Sequence, residues 1–361
     1  MKKVRLGLVG CGAMMKTHVK GVNELDNTEM VAVCDVVRER AEIVAESLGN
    51  NPEVFTDWRD MVDSVDAVLV ALPHDLHYEC GMFFARHKKH VMMEKPLANT
   101  EEECLRLIKA CEEEGVTLMC AYPVRYAPGY IKMKEFIDSG EYGTPFQASM
   151  WTEQLTCANV KIGEGSGALN QPEWSVTNRL GGGQLFSHGC HYIDLFLWFF
   201  GNPVSGSHVG TNLGTPWMLR EGSSMVTMKF ENGVIAYHGG TWGARGTHLG
   251  YDFQIHTDKG LLEYDYDAGI IKFYQNLTEH NPGETIENRD CQVLWEKNRT
   301  SLNPKDTQFE INHFSDCILN GKTPITHGKN ALQSLRVIWK LYRAEENGTL
   351  ADLRGLGFEN A

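Results

Sequence analysis

VRLGLVGCGAMMKTHVKGV, residues 4–22, decides the fold. Residues 4–9 are an apolar run of strand length, residues 10–15 (GCGAMM) make a glycine-bearing turn, and residues 16–25 carry the spacing of a helix. Strand, glycine turn and helix in that order form the unit that holds a dinucleotide pyrophosphate. A side chain in the turn would keep the backbone from the phosphates, whose charge is met by the amides of the helix N-terminus. Gly10 and Gly12 occupy the first two glycine positions, and Ala13 and Met14 complete the turn. Met15 stands where a third Gly or Ala would permit close helix–strand packing, so the fingerprint is incomplete.

The next strand, 30–34, ends in Asp35, placed to bind the hydroxyls of a ribose. A carboxylate there repels a 2'-phosphate and favours NAD over NADP, while Arg38 and Arg40 close by pull the other way. The plainer alternative for Asp35 is a strand-end turn residue or helix cap. Further strands at 67–71, 90–93 and 117–121 alternate with helical stretches at 38–48, 75–87 and 101–113, the pattern of a doubly wound parallel sheet. Ligands bind beyond the carboxyl ends of such strands, which marks Pro73, His74, His77, Glu94, Lys95 and Pro96 by position.

From residue 144 onward the pattern changes. Stretches such as SMVTMKF, GVIAYHG, YDFQIHT and IIKFYQ alternate in the manner of strands, with a hairpin turn at Glu231-Asn232-Gly233. The expected architecture is α/β: an N-terminal Rossmann domain, 1–122, followed by an α+β domain, 123–361, with a mainly antiparallel open sheet covered by helices on one face. A chain of 361 residues is long enough for two cores. Its formal charge of −13 is spread along the chain, and no Lys/Arg block is present to neutralise phosphates, which argues against a nucleic-acid partner. No apolar stretch approaches the roughly 20 residues that span a bilayer. Ten cysteines without a Cys-x-x-Cys pair read as buried thiols in a reducing cytoplasm.

With these pieces assembled, the chain resembles the glucose-fructose oxidoreductase, inositol dehydrogenase and rhizopine catabolism family, Gfo/Idh/MocA, over nearly its whole length. GLVGCGAMMKTHVKGV, including His18, is similar to the family's first turn and helix, VAVCDVVRERAE to its second strand, and ALPHDLHYE to its proline and histidine loop. MMEKPLA is the most specific signature, in which Lys95 matches the lysine that reaches the reacting carbon. AYPVRYAPGY resembles the segment that opens the second domain. GGGQLFSHGCHYIDLFLWFFG, 181–201, is similar to the family's triple glycine and following helix, with His191 on the catalytic histidine and Asp194 on the aspartate after it. The family's aspartate four residues before that histidine is here Ser187, followed by His188. FEINHFSDCILNGKTPIT and ALQSLRVIWKLYRAEENGT resemble the closing helices.

The resemblance implies oxidation of a secondary alcohol on a sugar, glycoside or cyclic polyol, with NAD held tightly between turnovers in some members. It also implies a cis Lys95-Pro96 bond. Read without it, a buried Lys95 ammonium would favour an alkoxide as hydride leaves the same carbon, or would simply pair with Glu94. His188, His191 and Asp194 share one side of a helix and invite a metal; yet they lack a further ligand, and an imidazole of near-neutral pKa suits alcohol deprotonation unaided, so no metal is expected. His191 is the candidate base, oriented by Asp194 and helped by Ser187. Arg125, Tyr126, Trp174 and His188 are expected to touch substrate. Trp151, Trp217 and Trp242 are further candidates for stacking on a sugar, against the commoner role of core aromatics. Gly181 to Gly183 would loosen a helix entrance or admit nicotinamide or substrate. The apolar outer face of the second sheet predicts a homo-oligomer. Two rivals share many of these motifs: a glycosidase that uses NAD for transient oxidation, and a non-catalytic dinucleotide sensor, which would have no use for Lys95 and His191.

Overall fold

Strand β1, Val4–Val9, has every residue but Arg5 buried and lies inside a six-stranded sheet. In the computed structural model, which describes residues 2–12, 14–20, 22–155, 182–216, 218–275, 291–297 and 307–358, this sheet is parallel throughout. Its other strands are β2 Thr28–Cys34, β3 Glu53–Phe55, β4 Ala67–Val70, β5 His90–Glu94 and β6 Leu118–Ala121, in the order β3-β2-β1-β4-β5-β6. That is the doubly wound order of dinucleotide-binding sheets, and its strands are apolar runs because helices bury both faces.

Helices α2 Arg38–Leu48, α3 His77–Arg86 and α4 Glu101–Glu114 alternate with these strands as the periodicity predicts. The first helix is the exception: α1 is only Met15–His18, and a 3-10 turn at Val22–Glu24 follows. Gly21 and the β-branched Thr17, Val19 and Val22 explain the shortfall, since glycine alone costs about 1 kcal/mol relative to alanine inside a helix.

After helix α5, Pro128–Ser139, the chain enters the second sheet. It comprises β7 Pro145–Glu153, β8 Pro203–Thr211, β9 Ser223–Phe230, β10 Ile235–Thr241, β11 Asp252–Thr257, β12 Gly260–Asp265, β13 Ile270–Gln275, β14 Cys291–Glu296 and β15 Ala351–Asp352. Only β7 and β10 pair in parallel; every other neighbour is antiparallel. Strict alternation along β9, with Ser224, Val226, Met228 and Phe230 buried and Met225, Thr227 and Lys229 exposed, separates a covered face from an open one. The expected Asn232-Gly233 turn forms, with Gly233 at φ +91°.

Among the described residues, three later helices follow: α6 Cys190–Phe200, α7 Thr307–Asn320 and α8 Gly328–Glu346. Helix α7 returns to the first sheet, where Ile311 and Phe314 join Val4, Leu6, Val22 and Met30 in one apolar cluster. No helix among the described residues is long and apolar enough to cross a membrane.

Candidate active site

The chain leaves β1 and β4 in opposite lateral directions, so a crevice opens beyond their carboxyl ends. Gly10 begins the turn there at φ +92°, a conformation that L side chains rarely adopt, and a Cβ on it would lie 2.4 Å from the Ala71 carbonyl oxygen. Asp35, at the end of the adjacent β2, reaches the same turn. Its carboxylate accepts from the Cys11 amide at 2.8 Å and from the Val37 amide at 2.9 Å. Burial and the nearby Asp35 push the Cys11 thiol up to about 12, so it is a packing group and no nucleophile. These residues fit a dinucleotide: a strained glycine admits the backbone, and an acidic side chain stands beside it. Ala13 lies outside the described residues, and Arg38 is turned outward to Glu42.

The loops after β4 and β5 form the next wall. Here the His77 ring lies between two carbonyls, with Nδ1 2.8 Å from that of Pro96 and Nε2 2.9 Å from that of Leu72. A neutral imidazole carries one N–H, so the ring donates to one of these carbonyls and stands beside the other, between the two loops. Burial pushes this imidazole below its ordinary pKa, while the two carbonyls favour the protonated ring; burial is the larger effect. His74 and Pro73 precede the clamp, and the Lys95-Pro96 bond is cis. Glu94 faces inward, 2.6 Å from His18 Nε2, and accepts from the Lys95 amide at 3.1 Å. The Lys95 ammonium instead crosses to the second domain and donates to the Ser187 carbonyl at 3.0 Å.

Ser187 and His188 belong to a π-helical turn, Leu185–Gly189, that leads directly into α6. Such turns are uncommon and concentrate at functional sites. The Ser187 hydroxyl is buried and has no hydrogen-bond partner among the described residues. His191 is 7% exposed, with its ring edge-on to Tyr122 and to His188. Around His188 stand Tyr192, Trp242 and Tyr251, the last holding Gln154 through its hydroxyl at 2.8 Å. Tyr251 and Gln154 carry no motif in the sequence; only the pairing of β7 and β11 brings them here.

Other candidates from the sequence have protein partners of their own. Arg125, 4% exposed, pairs with Asp194 at 3.0 Å and lies over the rings of Trp198 and Phe358. The other Asp194 oxygen accepts from Ser334 at 3.2 Å. Burial pushes the Asp194 carboxyl up and Arg125 opposes it. This arrangement joins α6 to the turn after β6 and to α8. Tyr126 bonds to Thr326 and lines a groove of about 430 Å³ with Ile131, Trp295 and Phe309, which shares no residue with the crevice. Trp151 packs on Tyr237 and Gly239, while Trp174 and Trp217 lie outside the described residues.

Residues 4–122 match the GFO_IDH_MocA oxidoreductase family, described as an NAD-binding Rossmann fold, and residues 130–263 match the GFO/IDH/MocA C-terminal domain. The chain belongs to the Gfo/Idh/MocA family. Among Gfo/Idh/MocA relatives, the uncharacterized oxidoreductase YrbE of Bacillus subtilis is 25% identical over 65% of this chain and 66% of its own. The inositol 2-dehydrogenase/D-chiro-inositol 3-dehydrogenase of Halalkalibacterium halodurans is 34% identical over 45% of this chain and 46% of its own. The chain thus spans between about half and two thirds of these curated relatives. Levoglucosan dehydrogenase, solved with NADH and levoglucosan, has the same fold, with a TM-score of 0.82 at 20% identity over 98% of this chain and 100% of that one.

Proposed function

We propose that this Gfo/Idh/MocA protein oxidises a secondary hydroxyl of a sugar, glycoside or cyclic polyol, with NAD as the hydride acceptor. Gly10, Gly12 and Asp35 would hold the dinucleotide, and its nicotinamide supplies the two-electron acceptor that the side chains lack. The observation that carries the reading is the convergence of the Lys95 ammonium, bonded to the Ser187 carbonyl at 3.0 Å, with the helix that presents His191. His191 takes the hydroxyl proton and Lys95 stabilises negative charge on that oxygen. The carbon then gives up hydride and becomes a carbonyl, so one alcohol and one NAD yield one ketone, one NADH and one proton. Ser187 can hydrogen-bond but supplies no charge.

Aromatic rings of Tyr192, Trp242 and Tyr251 beside His188 favour an uncharged ring substrate with an apolar face. Inositol 2-dehydrogenase and levoglucosan dehydrogenase act within that chemical class, in keeping with their names. The test is a panel of inositols, free sugars and aryl glycosides, followed by NADH absorbance and product masses. A product 2 Da lighter than its substrate, formed with stoichiometric NADH, supports the proposal. Release of aglycone without net NADH would replace it with glycoside cleavage through transient oxidation, and NAD binding without turnover of any compound would leave a sensor.

A further inference from the structure

The helix that carries Ser187, His188 and His191 has an unusual start. The first turn of any helix leaves backbone amides without intrahelical partners, ordinarily met by a side chain just before the helix. Here the amides of residues 183 to 186 are met by two residues far away in sequence. The Gly183 and Phe186 amides donate to the Tyr342 hydroxyl at 3.3 and 3.2 Å. The Leu185 amide donates to Glu221 Oε1 at 3.2 Å and the Gln184 amide to the Glu221 carbonyl at 2.8 Å. Tyr342 in turn donates to Glu221 Oε1 at 2.6 Å, so the two acceptors hold each other.

The pair is itself anchored. Tyr342 lies in the last turns of α8, where Glu345 accepts from the Gly210 amide at 2.8 Å and bonds His208 Nδ1 at 2.7 Å. The other nitrogen of His208 meets Ser224 on β9 at 3.0 Å. The glycines at the helix start answer to this cap. A Cβ at position 183 would sit 2.2 Å from the Glu221 carboxyl, and one at 182 would strike Phe186 at 2.4 Å, so Gly182 and Gly183 make room for protein atoms.

We propose that Glu221 and Tyr342 are positioning residues for the catalytic centre: they set the register of the π-helical turn, and so the point at which the Ser187 carbonyl meets Lys95 and at which His191 faces the crevice. Neither touches the reacting atoms. An ionised Glu221 also suits the positive end of the helix dipole; burial pushes its carboxyl up, while the hydrogen bonds from Tyr342 and the Leu185 amide oppose that shift. The part of this inference that concerns turnover rests on the dehydrogenase reading above; the part that concerns the helix does not.

The test compares Tyr342→Phe, Glu221→Ala and Glu221→Gln in the full-length protein, through amide exchange, NAD affinity and turnover. Tyr342→Phe and Glu221→Ala are expected to speed exchange in segment 183–191 by about tenfold or more, with β1 and β4 unchanged. Their NAD dissociation constants stay within about twofold of the parent, and kcat falls by about tenfold with little change in KM. Glu221→Gln keeps an oxygen for Leu185 and Tyr342, so it should restore most of both losses. Parent-like exchange in segment 183–191 for Tyr342→Phe and Glu221→Ala would overturn the proposal, as would equal loss of protection throughout the chain. So would parent-like kcat in those two variants, provided the parent turns over. If the parent oxidises nothing, the dehydrogenase reading fails while the exchange arm still decides whether the cap exists.

Discussion

The Lys95 ammonium and the Ser187 carbonyl, 92 residues apart, meet at 3.0 Å across the crevice between the two sheets. Glu94, the acidic neighbour of Lys95 in sequence, instead has its carboxylate on His18 and the Lys95 amide. If Lys95 and His191 do the chemistry, His191→Ala lowers the oxidation rate by roughly 10² to 10⁴, the usual contribution of a positioned acid or base, with NAD affinity nearly intact. Lys95→Ala also acts on turnover more than on cofactor binding. Ser187→Ala costs much less, because a neutral hydroxyl is a helper. Near-parental turnover of His191→Ala at neutral pH would move the base to His188 or Lys95.

Asp35 sits against the glycine turn through the Cys11 amide, where the ribose of a dinucleotide would lie. The charge predicts tighter binding of NAD than of NADP. Asp35→Ser removes the repulsion of a 2'-phosphate and should narrow the difference by about tenfold, or about 1.4 kcal/mol. Titration of parent and variant with both cofactors reads this directly; equal dissociation constants in the parent would refute it.

The Arg125–Asp194 pair is buried on both sides. Arg125→Ala strands a carboxylate in the interior, and the expected loss is about 3–5 kcal/mol of stability. Urea unfolding should show a lower midpoint, while any fully folded fraction retains its NAD affinity. A parental midpoint combined with a raised KM would instead return Arg125 to the substrate site.

On the open face of the second sheet, Val209 on β8 is paired with Met225 on β9, at 68% and 47% exposure. Exposed apolar residues on a broad sheet call for cover, and a second copy of the chain would supply it by symmetry. Sedimentation should find an oligomer at micromolar concentration, weakened about tenfold or more by Met225→Asp. A monomeric parent would contradict this.

Much was legible in the sequence because it depends on neighbours. The alternation of apolar runs and helical periods placed a helix around 38–48, where α2 forms, and the turn around Gly10 and Gly12 with Asp35 beyond it located the crevice. Periodicity and backbone freedom are local properties, so a single chain displays them. The short α1 was missed because the glycine turn invited a full helix where Gly21 and branched residues do not sustain one.

What the sequence determined by itself was the doubly wound sheet, the mainly antiparallel partner and the loop that carries Lys95. Tertiary structure alone decided which polar groups are already engaged. Arg125 and Asp194 stand far apart in the sequence and only the fold pairs them, as it alone sets the His77 ring between two carbonyls. Glu221 carries no motif and Tyr342 is one residue of a closing helix, yet they meet the amides of residues 183 to 186 from positions up to 159 residues away. The reason is physical: a buried hydrogen bond is specified by distance and direction in space, which local sequence patterns do not encode.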